Sequence, residues 1–292
     1  MERPIEASEL IITPRGTIYH LDLAPEQLAD TVITVGDPNR VAEVSRYFDR
    51  LEHKAEHREF ISHTGYIGNT RITVVGTGIG PDNIDIVINE LDALANIDFD
   101  SRLPRAAPKK LSIIRMGTCG SPHEDIPVDS LVISTHGLGL DNLLHFYRQE
   151  PDPVSESIAQ AFTAVAGLAG ARITPYITPG SRKLLSQFGE GYFRGITLTC
   201  PGFYGPQGRV LRAPVAHEGI MSALSVFHHE GHRITGVEME TSAIYGLGRM
   251  LGHECLSINT VVANRASGTF TTDVAKGVDH MVRKSLEVIV RK

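Results

Sequence analysis

The chain has 292 residues, of which 41% are hydrophobic and 21% are charged, as in an ordinary soluble globular protein with a sizeable core. Its formal net charge of −6 and its isoelectric point near 6.1 argue against a nucleic-acid-binding protein, which usually carries a basic face. A local cluster of arginines that binds one small anion is compatible with this balance.

Neither a membrane segment nor a metal site is indicated by the sequence. No apolar run approaches the length that spans a membrane, and Met1–Leu10 is too polar for a secretory signal. The three cysteines, Cys119, Cys200 and Cys255, lack the spacing of metal ligands or of a disulfide framework. We therefore expect a cytoplasmic protein without membrane or nucleic-acid partners and without a bound metal.

Predicted strands and helices alternate along the chain. The first three predicted strands are apolar and each precedes a glycine: Thr31–Val35 before Gly36, Arg71–Val75 before Gly76, and Leu111–Met116 before Gly117. Later strands are predicted at Ser130–Thr135, Ile234–Val237 and Leu256–Ala263, and helices after Gly36, after Gly80, and at Val154–Leu168, Thr241–Met250 and Val274–Val290. This alternation predicts an α/β fold around a central sheet, with ligands at the carboxyl ends of the strands.

One segment interrupts the alternation. Asp98–Lys110 is the only linker-like stretch, and we interpret it as an insertion loop because strands and helices continue on both sides of it. The length of the chain permits one large domain or two small ones.

The glycines at Gly76-Thr77-Gly78-Ile79-Gly80 suggest a dinucleotide-binding fingerprint. The final glycine of that fingerprint is missing, because Asn83 occupies its place. The pattern therefore favours close backbone approach to another ligand, or tight packing of strand on helix, over nicotinamide binding.

Glu238-Met239-Glu240 stands where a predicted strand ends and a predicted helix begins. Carboxylates accept hydrogen bonds from the vicinal hydroxyls of a ribose, and a methionine offers a soft apolar surface to the sugar face. Negative charge also suits a sugar that becomes cationic as its bond to a base breaks. The alternative is that the two acids merely cap the helix, whose dipole favours them.

Two arginines are candidates for binding an oxyanion. Arg40 follows the turn that begins at Gly36, where backbone N–H groups and a guanidinium can hold phosphate oxygens. Arg115 interrupts an apolar run near a strand end, where an unpaired buried charge would be costly. Thr118 follows with a small hydroxyl. The alternatives are a solvated Arg40, a structural ion pair for Arg115 and a turn hydrogen bond for Thr118.

The loop Phe203–Arg209 has a composition suited to a pyrimidine base. Gln207 both donates and accepts hydrogen bonds and lies two residues from Arg209, a pair that matches the imide edge of uracil. Phe203 can stack on the base, and Arg265 after the last strand can add a cation. A surface turn with a solvated arginine and a packed phenylalanine is the alternative for the loop, and a solvated loop residue is the alternative for Arg265.

Taken in order, these motifs resemble those of the nucleoside phosphorylase superfamily, and most closely those of its uridine phosphorylases. They are Gly36-Asp37-Pro38-Asn39-Arg40, Arg115-Met116-Gly117-Thr118, the Phe203–Arg209 loop and Glu238-Met239-Glu240. The resemblance runs from about Tyr19 to the C-terminus. It implies one domain over residues 1–292, with residues 1–18 as a peripheral extension. The implied fold is a three-layer α/β/α sandwich with a central mixed, partly barrel-like sheet.

The resemblance also implies a role for each residue. Gly36, Arg40, Arg58, Arg115 and Thr118 would bind phosphate; Phe203, Gln207, Arg209 and Arg265 would contact uracil; His20, Thr118, Glu238, Met239 and Glu240 would hold the ribose. Arg115, Glu240, Gln207 and Arg209 would carry the catalysis. His20 and Arg58, which otherwise look like surface residues, resemble residues that a neighbouring subunit contributes.

The implied activity is that of a pentosyltransferase: reversible cleavage of uridine by phosphate to uracil and ribose 1-phosphate, in pyrimidine salvage. Inorganic phosphate would be the co-substrate, and no cofactor is expected. The implied assembly is a dimer or hexamer whose active sites are shared across the dimer interface. Pro81-Asp82-Asn83 replaces the family's usual small residues, so a monovalent cation between subunits is doubtful. Ser121–Asp125 and the Asp98–Lys110 insertion also depart from the bacterial pattern.

Three alternatives differ in class. A nucleosidase uses water and has no use for three phosphate-directed arginines. A purine phosphorylase would carry an acid after the last strand, where this chain has Asn264-Arg265. A non-enzymatic nucleoside-binding protein would have lost part of the phosphate-binding set.

Overall fold

A large mixed sheet with helices on its faces forms the centre of the protein. The computed structural model describes residues 3–150 and 152–291. The strands are β1 (Thr31–Val35), β2 (Arg50–His57), β3 (Phe60–Ile67), β4 (Thr70–Gly76), β5 (Ile97–Asp98), β6 (Leu103–Pro104), β7 (Ser112–Ser121), β8 (Leu131–Gly139), β9 (Tyr176–Pro179), β10 (Phe193–Thr199), β11 (His228–His229), β12 (His232–Glu238), β13 (Glu254–Asn264) and β14 (Thr269–Phe270). The helices are α1 (Asn39–Ser45), α2 (Pro81–Asn96), α3 (Pro153–Val165), α4 (Arg182–Gln187), α5 (Gly219–Val226), α6 (Thr241–Met250) and α7 (Val274–Val290).

The central sheet has 12 strands, in the order β11-β12-β10-β8-β13-β7-β1-β4-β3-β2, with β9 paired to β8 and β14 paired to β13. Its pairs are both parallel, as between β1 and β7, and antiparallel, as between β8 and β13. β12 also pairs with β7 through Val237 and Gly120, so the strands from β12 to β7 close into a ring. The expected mixed, partly barrel-like sheet is confirmed.

The helices pack on two faces of the sheet. Ile84, Ile88 and Leu91 of α2 recur at helical spacing and are buried in one core cluster with residues of α6 such as Ile244. A second cluster joins α1 and α7 to the opposite face, where Val282 is fully buried. A third cluster lies under α3 and α5. This is the expected α/β/α arrangement.

Several predicted elements match the structure, and others need correction. The bounds of β1, α6 and α7 are those predicted. β7 does not end before Gly117 but continues to Ser121, because β13 pairs with it along its whole length. The predicted loop Asp98–Lys110 includes one strand of the β5–β6 ribbon and part of the other. The helix predicted at Val154–Leu168 ends at Val165.

The N-terminal segment contacts the core within its described part. Leu10 and Ile18 are buried in the cluster that contains α2. The Nε of Arg102 donates a hydrogen bond to the carbonyl oxygen of Ile5 at 2.6 Å. The single-domain assignment for residues 1–292 stays a prediction, as does the peripheral character of residues 1–18. None of the helices in the described ranges is both long and apolar enough to cross a membrane.

Candidate active site

A cavity of about 790 Å³ opens where β1, β7, β12 and β13 end or come close to their ends. The start of α2 and the loop after β10 complete its walls. Most of the predicted site residues line it: Gly36, Arg40, Arg115, Thr118, Phe203, Gln207, Arg209, Glu238, Met239 and Glu240. The fold therefore brings together the candidates for phosphate, ribose and base contacts in one cavity.

Arg115 is buried between two carboxylates, with 5% of its surface exposed. Its Nη2 lies 3.2 Å from Glu238 and forms an ion pair with Glu240. Burial alone would lower the pKa of Arg115, but the charges of Glu238 and Glu240 outweigh burial and raise it. Arg115 thus forms the structural ion pair that was the alternative interpretation. It also lies in the cavity wall.

The two acids of the Glu238-Met239-Glu240 motif have different surroundings. The carboxylate of Glu238 accepts hydrogen bonds from the Thr199 hydroxyl at 2.7 Å and from the N–H groups of Glu240 and Thr241, each at 3.0 Å. Burial raises the pKa of Glu238, although the charge of Arg115 opposes this shift. Glu238 therefore caps the start of α6.

Glu240 connects the start of α6 with the segment that precedes α2. One oxygen of its carboxylate accepts a hydrogen bond from the N–H of Gly80 at 2.9 Å, and the other pairs with Arg115. Glu240 occupies the N-cap position of α6, yet its side chain makes no capping hydrogen bond there. Helix capping therefore accounts for Glu238 but not for Glu240.

Arg40 brings a second guanidinium to the cavity. It projects from α1, and within the described ranges its side chain makes no hydrogen bond or ion pair. Burial, and then the charge of Arg115, lower the pKa of Arg40. Two like charges that share one cavity repel each other, and a small anion between them would relieve that repulsion. Thr118 and Gly36 line the same cavity.

The loop that follows β10 is held by its own arginine. Nη1 of Arg209 donates to Oε1 of Gln207 and to the carbonyl oxygen of Phe203, each at 2.6 Å. The guanidinium lies 3.7 Å from the centroid of the Phe203 ring, as in a cation–π contact. Gln207 is 4% exposed and Phe203 is 50% exposed, so the amide is fixed while the ring stays open to a ligand.

Arg265 does not line the cavity, but it contacts the backbone of this loop. Its Nη1 donates to the carbonyl oxygen of Gln207 at 2.6 Å. Burial, and then the charge of Arg265, lower the pKa of Arg209. In this chain Arg265 thus supports the backbone of the loop, and its predicted contact with the base stays a prediction.

His20 and Arg58 also lie outside the lining of the cavity in their own chain. Nδ1 of His20 lies 2.6 Å from a carboxylate oxygen of Glu90. Nη2 of Arg58 donates to the hydroxyl of Tyr19 at 3.0 Å, and its guanidinium lies over the Tyr19 ring. Their expected contribution to a neighbouring subunit's site stays a prediction.

Some residues of the site were not singled out from the sequence. Phe270 lines the cavity and is 64% exposed, but β14 has only two residues, too few for a strand pattern. Cys119 follows Thr118 in the continuation of β7, and burial raises the pKa of its thiol to about 12. Glu59 lines the cavity as well. In the sequence, only its place next to Arg58, at the turn between β2 and β3, pointed to the site.

Known proteins share both the sequence pattern and the fold. The family model described as the phosphorylase superfamily matches residues 30–292. A uridine phosphorylase of Thermococcus kodakarensis is 27% identical over 264 residues, covering 88% of this chain and 81% of the relative. A DeoD-type purine nucleoside phosphorylase of Myxococcus xanthus is 26% identical over 272 residues, covering 92% of this chain and 95% of the relative.

A solved structure extends the comparison. The crystal structure of a Trypanosoma brucei nucleoside phosphorylase, described as showing uridine phosphorylase activity, superposes with a TM-score of 0.88 at 30% identity. The match covers 97% of this chain and 100% of that one. The resemblance to uridine phosphorylases and the expected enzyme class, a pentosyltransferase, are confirmed. The chain belongs to the phosphorylase superfamily.

Proposed function

We propose that this protein cleaves uridine with inorganic phosphate, giving uracil and ribose 1-phosphate in a reversible reaction. The observation that carries the proposal is one cavity lined by the two cationic groups Arg40 and Arg115, by Glu240, and by the Gln207–Arg209 pair. These groups match, in turn, an anionic nucleophile, a sugar that becomes cationic, and a base that leaves with negative charge.

The nucleophile would be a phosphate oxygen. Arg40 and Arg115 would hold phosphate so that this oxygen faces C1′, and the gain in rate is largely one of positioning. Thr118, which lines the same cavity, would bridge phosphate and ribose. We expect Arg58 of a neighbouring subunit to complete the phosphate site.

The sugar would be stabilised as its charge develops. As the bond between C1′ and the base nitrogen lengthens, the ring gains oxocarbenium character, and the Glu240 carboxylate lies in the same cavity to oppose that positive charge. Glu240 would accept hydrogen bonds from the ribose hydroxyls, and Met239 would contact the sugar face. His20 would reach the sugar from a neighbouring subunit.

The base would leave with the electron pair of the broken bond. Gln207 and Arg209 would donate hydrogen bonds to the uracil carbonyl oxygens, and Phe203 would stack on the ring. Arg265 would add positive charge from behind the loop. The reaction needs no redox cofactor and no covalent intermediate, since phosphate itself takes the pentosyl group. We propose pyrimidine salvage in the cytoplasm as its setting, in a dimer or hexamer.

The choice of a pyrimidine base rests on two features of the site. A purine phosphorylase would place an acid after the last strand, but here Asn264 donates to the carbonyl oxygens of His123 at 2.7 Å and Ile126 at 2.8 Å. Gln207 and Arg209 instead offer donors and an acceptor that match uracil. Because one relative is described as a purine nucleoside phosphorylase, the test includes a purine nucleoside.

The test measures base release from uridine, thymidine and inosine, each with and without phosphate. We expect uracil release from uridine that requires phosphate and yields ribose 1-phosphate. Release without phosphate would contradict phosphorolysis and favour a nucleosidase. Faster cleavage of inosine than of uridine would contradict the assignment of the base. Arg40→Gln should weaken phosphate binding and leave the binding of uridine nearly unchanged, which links the activity to this cavity.

A further inference from the structure

Asn259 is a buried polar residue of β13 that contacts Arg115 directly. Its exposed fraction is 0%, and its Oδ1 accepts a hydrogen bond from Nη1 of Arg115. Its Nδ2 donates to the hydroxyl of Ser257 at 3.2 Å, and that hydroxyl bonds to the hydroxyl of Thr241 at 2.8 Å. A chain of hydrogen bonds therefore runs from the start of α6 to the guanidinium.

The register of the sheet places Asn259 opposite a glycine. β7 and β13 are parallel, with Asn259 opposite Gly117 and Ser257 opposite Arg115. A Cβ on Gly117 would lie 1.8 Å from Nη1 of Arg115 and 2.6 Å from Oδ1 of Asn259. The guanidinium and the amide thus occupy the space that any larger residue at position 117 would need.

The acceptor at position 259 is neutral, and this matters for an anion site. Glu238 and Glu240 both contact Nη2, so two negative charges already surround one guanidinium. Without an acceptor for Nη1 the side chain would be held at one end only. A third carboxylate would hold it, but would also repel an anionic substrate. An amide holds Nη1 without adding charge.

We propose that Asn259 is a positioning residue for phosphate: it fixes the Arg115 guanidinium in the cavity wall while leaving its charge available to the anion. The inference rests on the proposed function and adds a residue to it. Asn259 does not line the cavity, and it acts through Arg115. A purely structural Asn259 would contribute to stability alone, since its buried amide satisfies a buried donor.

The test uses the isosteric change Asn259→Asp, which keeps an oxygen acceptor and adds one negative charge. We expect the KM for phosphate to rise about ten- to a hundredfold, the range for a hydrogen bond to a charged group, while the KM for uridine changes less than about threefold. Calorimetric titration with inorganic phosphate alone should show the same loss. Equal changes in both KM values, or no change in either, would overturn the proposal.

Gly117→Ala is a second variant that changes no charge. Its methyl group would displace the guanidinium, so the affinity for phosphate should fall as in Asn259→Asp. If Asn259→Asp does not fold, an unchanged affinity for phosphate in Gly117→Ala would overturn the proposal.

The matched control is Asn96→Asp, which changes another buried amide. Oδ1 of Asn96 accepts a hydrogen bond from the N–H of Lys109 at 2.6 Å, and Asn96 is outside the cavity lining. The control should lose stability without a change in phosphate affinity; a loss like that of Asn259→Asp would count against the proposal. A wild-type enzyme that cleaves uridine without phosphate would instead refute the proposed function, so the two failures are distinguishable.

Discussion

Arg115 and Glu240 form an ion pair in the wall of the cavity, although they lie 125 positions apart in the chain. An isolated buried guanidinium would cost several kcal/mol, and the carboxylate offsets much of that cost. Because Glu240 also accepts the N–H of Gly80, the pair joins β7, α2 and the start of α6 at one point. A change in the charge of Glu240 would therefore alter the orientation of Arg115 as well as the proposed interaction with the sugar.

Replacing Glu240 by Gln keeps the shape of the side chain but removes its charge. We expect kcat to fall about a hundredfold or more, because the negative charge no longer opposes the cationic sugar in the transition state. Steady-state kinetics with uridine at saturating phosphate provide the measurement. Glu238→Gln is the matched comparison. Because Glu238 caps α6, this change should mainly lower the free energy of unfolding, by about 1 kcal/mol. The idea fails if Glu238→Gln lowers kcat more than Glu240→Gln.

Removing the guanidinium of Arg209 should slow the departure of the base. Arg209→Ala is expected to cost about 2–4 kcal/mol of transition-state stabilisation, measured as kcat/KM for uridine. The control is Arg212→Ala, which changes an exposed arginine three residues further along the chain that does not line the cavity. A near-normal kcat/KM for Arg209→Ala would refute the assigned role.

Much of the fold was accessible from local patterns. Thr31–Val35 is a short β-branched run, and Val274–Val290 has apolar residues at helical spacing, so both were predicted with correct bounds. β2 was not predicted, because Arg50–His57 is an edge strand with many polar, exposed residues and no apolar face to recognise. The extension of β7 past Gly117 depends on pairing with β13, a partner that local sequence does not reveal.

Site residues could be predicted from the sequence where the type of residue and its local setting already indicate that it binds a ligand. Arg40, Arg115 and Gln207 were recognised because charge or amide groups in those settings need partners. Asn259 was not, since it lies in the apolar run of β13 and its role depends on the strand register. The different surroundings of Glu238 and Glu240 likewise appear only in three dimensions.

A methyl group at Gly137 should destabilise the protein. Its Cβ would lie 2.7 Å from Cα and 2.8 Å from the backbone nitrogen of Ser242, so α6 would have to move away from β8. We expect Gly137→Ala to lower the free energy of unfolding by about 1–3 kcal/mol in urea titration. The control is Gly189→Ala, where a Cβ meets nothing within 4 Å. Equal stability of the two variants would contradict the close packing of α6 on β8.

His136 should make the stability of the protein sensitive to acid. Burial, and then the charge of His232, lower the pKa of His136 from 6.5 to about 4, with Asp152 opposing the shift. Between these two values the unfolded state binds the proton and the folded state does not, so the free energy of unfolding decreases as pH falls from about 6.5 to about 4.

Urea titrations at several pH values within that window provide the test. His136→Asn should flatten the pH dependence by on the order of 1–2 kcal/mol, after allowance for solvent screening of a part-exposed group. His280→Asn, which changes an exposed histidine of α7, should keep the wild-type slope. An unchanged slope in His136→Asn would show that other groups cause the acid sensitivity.

The cavity is lined by residues from Gly36 to Phe270, contributed by strands that lie far apart in the chain. Such long-range contacts form late, because the intervening chain must first be ordered. A nascent polypeptide emerging from the ribosome therefore lacks part of the cavity wall until β13 and β14 have left the exit tunnel. Competence to bind a nucleoside should thus arise only after these two strands have emerged, rather than in any amino-terminal intermediate.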